Sequence, residues 1–236
     1  MIIQVIIVLM WIILMKIHEA FPILVAQDKI DIHDEIRNEY LEELKPLWWN
    51  GYENRTPEHS GRCSIHKDPK YLRIFESINR SVRRYLDLLE VDHEKLFVNI
   101  TKSWLGYANK ETPQLKMHYH NDADISFCYY LLADETSDKF CVYDPTLQNE
   151  PGGGIFEVFE NYNMIKKFNK YNCDKYTITA EEGTILLFPS KMKHSTLKKE
   201  NLEDRYSLIG DIKLCLKPEY NLYPQSCPHH TLWLEL

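Results

Sequence analysis

A chain of 236 residues is long enough to bury a substantial core and fits one domain with insertions. Its formal net charge of -7 argues against a general nucleic-acid-binding protein, because phosphate binding depends on clustered lysine and arginine. The six cysteines show no Cys-x-x-Cys spacing, which argues against a cysteine-based zinc site and predicts a reduced, cytoplasmic protein with buried free thiols.

The first 15 residues, MIIQVIIVLMWIILM, are almost entirely apolar. This run is shorter than the roughly 20 residues needed to span a bilayer, and it lacks the basic start and small-residue cleavage site of a signal peptide. Three interpretations stay open: a short membrane anchor, an additional element on the core, or an over-extended gene start with the true initiator at Met15. We favour the last, and we expect residues 16–236 to form one domain without stable membrane association.

Two amphipathic helices are predicted before residue 95. Ile36, Tyr40 and Leu44 recur at helical spacing in a helix over 28–45. A second helix over 70–90 carries a single apolar stripe, made of Leu72, Phe75, Ile78, Val82, Tyr85, Leu86 and Leu89. We interpret the basic run 80–84 on this helix as a solvated face, and residues 48–67 as a loop.

Short strands dominate the region from about residue 95 to 216. They are predicted at Leu96–Tyr107, Ile125–Leu132, Phe140–Tyr143, Ile155–Phe159, Tyr176–Ala180, Thr184–Phe188 and Tyr206–Leu216. Gly152 to Gly154 lack the frame of a phosphate-binding loop, so we interpret them as a flexible hairpin or active-site lid. Many short strands after two helices predict an α+β fold with a jelly-roll barrel and the N-terminal helices packed on one sheet.

Candidate metal ligands stand at alternate positions just before a predicted strand. His118, His120 and Asp122 would project to one side of an extended chain, where one ion could meet two of them. A third histidine, His194, follows the strand Thr184–Phe188, and Arg205 opens another strand. Two clustered ligands, a distant histidine and an arginine beyond it are the outline of a non-haem Fe(II) site that chelates a dicarboxylate.

At these residues the chain resembles the 2-oxoglutarate and Fe(II)-dependent oxygenase family found in phage and marine bacterial genomes, within the wider 2OG-Fe(II) dioxygenase superfamily. The resemblance extends from about Phe21 to Leu216. It departs from the family at Phe127, where glycine is usual and where we expect altered packing beside the metal. The matching motifs are His118-Tyr119-His120, Ser126 to Tyr130, Asp144-Pro145, Leu187-Phe188-Pro189-Ser190, His194 and Arg205-Tyr206-Ser207.

The resemblance implies a double-stranded β-helix (a cupin-like jelly roll) that couples oxidative decarboxylation of 2-oxoglutarate to hydroxylation of a substrate, with Fe(II) and O2. It implies His120 and His194 as ligands. The third place stays open between His118 and Asp122, because H-x-D supplies the carboxylate that iron usually takes, whereas the close family has H-x-H. We expect the residue that is not a ligand to bond to a ligand or to the substrate.

The co-substrate site is predicted around Arg205, whose planar guanidinium suits the distal carboxylate of 2-oxoglutarate. Ser207 shares its face of the strand and could add a hydroxyl donor. By resemblance Tyr130, and more weakly Tyr107, are further candidates for that carboxylate. No catalytic residue beyond the metal site is predicted.

Two alternatives come from other functional classes. A cupin-like jelly-roll protein could bind metal through His118, His120 and His194 without 2-oxoglutarate, and its metal binding would then be indifferent to substitution of Arg205. A non-catalytic binding protein would hold no stable iron. The primary substrate is not indicated by any motif, and we expect residues 48–67 and 145–171 to select it.

Overall fold

The computed structural model describes residues 16, 18–48, 64–144, 146–147, 149–151, 153–156 and 164–220. Single 3-10 turns occur at Lys45–Leu47, Ile65–Lys67, Pro69–Tyr71, His93–Lys95 and Pro218–Tyr220. The helices and strands are, in chain order, β1 (Ala26–Lys29), α1 (His33–Leu44), α2 (Leu72–Leu88), β2 (Leu96–Ala108), β3 (Ile125–Leu132), β4 (Lys139–Tyr143), β5 (Lys175–Thr179), β6 (Thr184–Pro189), β7 (His194–Thr196) and β8 (Arg205–Leu216).

The strands form two sheets in which every strand pair is antiparallel. The larger sheet has the order β1-β6-β3-β8-β2, and the smaller has the order β5-β4-β7. Apart from β1, the strands all follow the two helices rather than alternating with them, so the chain is an α+β protein, as predicted.

Both helices cover one face of the larger sheet. The apolar stripe of α2 packs with α1 against alternate residues of β3, β6 and β8, because side chains of a strand alternate between faces. We call this the helix-facing side. Its fully buried members include Ile36 and Leu44 of α1, Ile74, Ile78 and Val82 of α2, and Phe127, Tyr129, Ile185, Leu187 and Leu208 of the sheet.

The opposite face of the larger sheet packs against the smaller sheet. Cys128 and Tyr130 of β3 and Leu186 and Phe188 of β6 meet Phe140 of β4 in a second, smaller apolar cluster. We call this the inner side. Because it also carries buried serines, an aspartate and an arginine, it is where a polar site can form.

The first predicted helix was placed too early. The helix begins at His33, because Ala26 to Lys29 pair with Leu187 to Thr184 and form an edge strand instead. Acidic Asp34 and Glu35 in the first turn suit the positive end of the helix dipole. Neither β1 nor the three-residue β7 was predicted, since both are too short and too polar to show a clear alternation.

Other local predictions were also wrong. Leu72 and Leu89, at the ends of the predicted apolar stripe, are 58% and 45% exposed and lie outside the core. Ile155 and Phe156 belong to a turn, so the strand predicted at Ile155–Phe159 does not begin there, and residues 157–159 lie outside the described part. The segment 1–15, Gly152, most of the loop 48–67 and the interior of 145–171 lie outside it too.

Phe127 lies on the helix-facing side, which corrects the expectation that it alters packing beside the metal. Its ring fills the space in front of Gly210, its partner on β8, where a Cβ atom would lie 2.5 Å from the ring. The aromatic residue on β3 is therefore accommodated by a glycine on β8. Phenylalanine in place of the usual glycine at position 127 therefore changes packing in the helix-facing core.

The basic run on α2 is a solvated face, as predicted, because its arginines are partly exposed and bind nearby acids. Arg80 binds Asp31 and Arg84 binds Asp28. The four cysteines in the described part are free, and Cys128, Cys141 and Cys215 are buried. Each helix in the described ranges falls short of the length and apolarity that a membrane crossing requires.

Candidate metal centre and co-substrate pocket

Three histidines converge at one end of the inner side. His118 and His120 belong to the segment before β3, and His194 opens β7. Two backbone hydrogen bonds join His118 and His194 reciprocally, at 3.0 and 2.9 Å, and set the two side chains next to each other. One potential ligand atom from each histidine lies within 4.8 Å of the others, so a single ion could meet all three.

The Nδ1 atom of each ring already has an acceptor. His118 Nδ1 donates to the Lys116 carbonyl at 2.8 Å, and His194 Nδ1 donates to the Met192 carbonyl at 2.9 Å. His120 Nδ1 lies 2.6 Å from Asp211 Oδ1. Since these oxygens accept, Nδ1 carries the proton and the Nε2 lone pair of each ring is left for a metal ion.

Burial favours the neutral form of His118 and His194, which is the form that binds metal. His194 is only 4% exposed, and burial, aided by the neighbouring histidines, lowers its pKa to about 4. Burial also lowers the pKa of His118. At neutral pH His118 and His194 therefore present lone pairs rather than positive charge.

Asp211 is a site residue that the sequence analysis missed. It is 2% exposed, lies on the same face of β8 as Arg205 and Ser207, and accepts hydrogen bonds from His120 and from the Ser126 hydroxyl. Burial alone would raise the pKa of its carboxyl group, but these hydrogen bonds hold it below the ordinary value. An acid within the segment LIGDI, whose other residues are apolar side chains and a glycine, was the available signal.

Asp122 occupies a different position from the three histidines. The bend from 121 to 124 leaves its side chain exposed, and it is not one of the three clustered residues. Because the chain is not extended past His120, the alternation that was expected to align Asp122 with the histidines stops there.

Arg205 lies in a buried cluster of charges on the inner side. Its Nη1 donates to Asp138 Oδ1 at 3.1 Å, and Lys199 Nζ donates to Asp138 Oδ2 at 2.8 Å. Asp138 is fully buried, and Lys199 and Arg205 are 3% and 8% exposed. Two cations share one carboxylate here, so this cluster carries a net positive charge in a region where charge is weakly screened.

Tyr130 and Ser207 lie beside Arg205 on the inner side. They are direct partners in the β3–β8 register, so their side chains share a face with Arg205. The Tyr130 hydroxyl is buried and finds no nitrogen or oxygen partner in the described part of the chain. Burial raises its pKa well above the ordinary value, and the Cys128 thiol is its neighbour. An unpaired buried hydroxyl next to net positive charge is a suitable place for an anion.

Tyr107, in contrast, faces away from this pocket. It pairs with Tyr206, whose side chain lies on the face of β8 opposite to that of Arg205. Its hydroxyl donates to Asp204 at 3.0 Å and accepts from Asn109 at 2.8 Å, and its ring packs against Tyr206. The alternation of β2 therefore removes Tyr107 from the group of residues that could reach a co-substrate.

Comparison with known proteins gives a family match over the part of the chain that holds the site. Residues 102–211 match the family model described as "Putative 2OG-Fe(II) oxygenase". No curated protein matches the chain in sequence.

Several solved structures are distantly similar. HygX from Streptomyces hygroscopicus, with nickel and 2-oxoglutarate bound, is 12% identical over 81% of this chain and 83% of that chain, with a TM-score of 0.47. The non-heme alpha ketoglutarate dependent epimerase SnoN is 11% identical over 87% of both chains, with a TM-score of 0.48. An oxidoreductase of the 2OG-Fe(II) oxygenase family from Burkholderia pseudomallei is 12% identical over 56% of this chain, with a TM-score of 0.39, and this chain spans 50% of it.

The family match over residues 102–211 carries more weight than these distant likenesses. The matched segment contains His118, His120 and His194 together with Arg205 and Ser207. The three imidazoles suit an iron ion, and the group formed by Arg205, Tyr130 and Ser207 suits the carboxylate of 2-oxoglutarate. Residues 102–211, which hold the whole candidate site, are thus similar to the 2OG-Fe(II) oxygenases, a family whose members use Fe(II), 2-oxoglutarate and O2 to oxidise their substrates.

Proposed function

We propose that the chain is a 2-oxoglutarate-dependent dioxygenase in which His118, His120 and His194 bind the Fe(II) ion. The observation that carries the proposal is the convergence of three imidazoles whose Nδ1 atoms all have acceptors, so that each Nε2 is free to ligate. Imidazole is a suitable ligand for iron, and three ligands on one side of an ion leave positions for other groups.

We choose His118 over Asp122 for the third place. The reciprocal backbone bonds between His118 and His194 hold these rings with centroids 4.3 Å apart. Asp122 is exposed, and bringing its carboxylate to the cluster would require the bend at 121–124 to rearrange. An all-histidine set is therefore the arrangement that the backbone favours.

Arg205, Ser207 and Tyr130 would bind the distal carboxylate of 2-oxoglutarate. The buried charge cluster has a net positive charge that an incoming carboxylate would neutralise, and the Tyr130 hydroxyl is available as a donor. Asp138 holds the Arg205 guanidinium in position by accepting from one nitrogen. Charge-assisted bonds of this kind are stronger than neutral ones and fix the orientation of the anion.

A double-stranded β-helix is the arrangement that best relates the two sheets. The inner cluster joins residues of β3 and β6 to residues facing them from the smaller sheet. The bridge between His118 and His194 extends the smaller sheet beyond β7. In such a jelly roll the metal ligands and the co-substrate anchor all lie between the sheets, where water is restricted.

Bound iron and 2-oxoglutarate supply the oxidising chemistry, which couples decarboxylation of 2-oxoglutarate to hydroxylation of a substrate. The chain's own residues do the positioning. The histidines hold the ion, and Arg205 with Tyr130 would hold the co-substrate in one orientation. The apolar residues Phe140 and Phe188 pack against His194 and keep water from its ring.

The buried free thiols of Cys128, Cys141 and Cys215 support a reducing compartment such as the cytoplasm. Substrate selection by residues 48–67 and 145–171 stays a prediction, because most of these residues lie outside the described part.

Isothermal titration of 2-oxoglutarate into anaerobic Fe(II)-loaded protein tests the proposal. We expect binding only when metal is present, and Arg205→Ala should weaken it by about 2 kcal/mol, as loss of hydrogen bonds to a charged group does. Tyr130→Phe, which removes only the hydroxyl, should weaken it less. Arg84→Ala is the matched control: it removes a half-exposed arginine of α2 that binds Asp28, and it should leave 2-oxoglutarate binding unchanged.

Each other outcome contradicts a defined part of the proposal. If metal binds but 2-oxoglutarate does not, the chain behaves as the cupin-like metal protein, which the family match does not favour. If Arg205→Ala and Tyr130→Phe both leave 2-oxoglutarate affinity unchanged, the co-substrate lies elsewhere. If no metal binds, the three histidines are not the site.

A further inference from the structure

The Nδ1 atoms of the three candidate ligands donate hydrogen bonds to different kinds of acceptor. His118 and His194 donate from Nδ1 to the neutral carbonyls of Lys116 and Met192. His120 alone donates to a carboxylate, that of Asp211, at 2.6 Å. This asymmetry gives His120 a role that the other two rings do not have.

A site of three neutral imidazoles brings no negative charge to the metal. The iron set usual in non-haem oxygenases includes a carboxylate, which offsets part of the charge of the ion. Of the acids in the described part of the chain, Asp211 is the one in hydrogen-bond contact with a clustered histidine. Its charge would reach a bound ion through one imidazole ring rather than by direct ligation.

Asp211 is firmly held in this position. It is 2% exposed, and the Ser126 hydroxyl donates to the same Oδ1 atom at 2.8 Å. Ser126 in turn lies 2.9 Å from the hydroxyl of Ser190, which is also buried. In the described part of the chain, the lysine that pairs with this carboxylate is Lys102, whose Nζ is 3.8 Å from Oδ2 and whose side chain is half exposed, so solvent screens most of its effect.

We propose that Asp211 is a positioning residue that holds His120 with Nε2 toward the metal and supplies, through that ring, the negative charge that the three-histidine set lacks. The proposal rests on the three-histidine site proposed above. A carboxylate bonded to the far nitrogen of a ligating imidazole fixes its tautomer and raises its basicity. Here the same contact would also favour the more highly charged oxidation state of the bound ion.

Asp211 acts from behind His120 and not as a ligand. Its Oδ1 contacts Nδ1, which leaves the Nε2 lone pair of His120 for a metal ion. The group of side chains whose ligand atoms converge within 4.8 Å in the described part comprises His118, His120 and His194 and does not include Asp211.

The experiment compares wild type with Asp211→Asn, which keeps an acceptor for Nδ1 but removes the charge. Asp124→Asn is the matched control: it removes an acid near the start of β3 whose carboxylate accepts from Lys213 and from the Leu214 amide. Co(II) is titrated into each metal-free protein, and the Co(II) absorption spectrum is recorded. The Fe(III)/Fe(II) midpoint potential of each iron-loaded protein is then measured.

We expect Asp211→Asn to weaken Co(II) binding by about 10- to 100-fold, as removal of a partner behind a ligand does. The midpoint potential should rise, since Fe(III) loses more stabilisation than Fe(II). The shape of the Co(II) spectrum should be retained because the ligands are unchanged. Asp124→Asn should match wild type in all three measurements.

Three results would overturn the inference while leaving the metal site intact. The first is an unchanged Co(II) affinity and potential in Asp211→Asn. The second is a loss of thermal stability without a change of potential, which would show a purely structural role. The third is a Co(II) spectrum showing a different coordination number, which would make Asp211 a ligand. Failure of wild type to bind Co(II) would instead contradict the three-histidine site itself.

Discussion

The two faces of the larger sheet differ in what they contribute. Along β3, the residues Phe127 and Tyr129 point to the helix-facing side and are fully buried among apolar side chains. Ser126 and Tyr130 point to the inner side and meet Asp211 and the Arg205 cluster. One strand thus serves both roles, and alternation of side chains separates them. The helix-facing side stabilises the fold, whereas the inner side buries polar groups for which the fold must compensate.

The largest effect is expected where the inner side buries charge. Asp138→Asn leaves Arg205 and Lys199 buried without a counter-charge, and we expect a loss of about 3–5 kcal/mol in the free energy of unfolding. Denaturant unfolding measures it. Asp31→Asn, which removes an exposed acid that binds Arg80, should cost less than about 1 kcal/mol. Equal losses in the two variants would contradict the distinction between buried and exposed acids.

A large cavity on the helix-facing side should affect stability alone. Ile78 of α2 is fully buried in the core between helices and sheet. Ile78→Ala should lower the free energy of unfolding by about 2–5 kcal/mol through lost burial and the cavity left behind. Metal affinity, measured below the unfolding transition, should match wild type. A fall in metal affinity would show that the two sides are coupled.

Protonation of His194, which is buried on the inner side, should destabilise the metal-free protein. The folded-state pKa of His194 is about 4, below its ordinary value of 6.5, so the unfolded chain takes up the proton first as the pH falls. The free energy of unfolding is therefore fully retained above about pH 6.5 and declines toward pH 4, by on the order of 3 kcal/mol. Burial of His118 acts in the same direction.

Denaturant unfolding at several pH values measures this decline. His194→Asn replaces the imidazole by a group that does not titrate, so its curve should be flatter between pH 4 and 6.5. If the variant retains the full slope of wild type, the pH dependence arises elsewhere.

The smallest effect is expected at the contact between Phe127 and Gly210. A Cβ atom at Gly210 would lie 2.5 Å from the Phe127 ring and 2.8 Å from the Lys102 carbonyl oxygen. Gly210→Ala should therefore cost about 1–3 kcal/mol through overpacking. Gly153→Ala is the control because a Cβ there meets nothing within 4 Å. Similar melting temperatures for the two variants would show that the close packing at Gly210 is not required.

Helices and strands could be predicted from the sequence where a periodic pattern of apolar residues marks them. Apolar residues alternate along β3 and recur at helical spacing over several turns of α2, so both elements were predicted. The polar edge strand AQDK has no such pattern, and its conformation is decided by pairing with β6. Tertiary pairing therefore set the start of α1.

The site shows the same division. His118, His120 and His194 could be proposed from spacing and resemblance, as could Arg205. Asp211 could not, because its contact with His120 joins positions 91 residues apart and belongs to no short motif. The face on which Phe127 and Tyr107 lie was also not evident until the strand register was known.

The choice of the third ligand tests the central claim most directly. Anaerobic titration of Fe(II) into wild type, His118→Ala and Asp122→Ala compares the two candidates, with circular dichroism as the check on folding. We expect His118→Ala to weaken Fe(II) binding by more than about 100-fold, because removing a ligand costs more than removing a group that hydrogen-bonds to one. Asp122→Ala should bind Fe(II) as wild type does. Loss of binding in Asp122→Ala with retention in His118→Ala would contradict the three-histidine site.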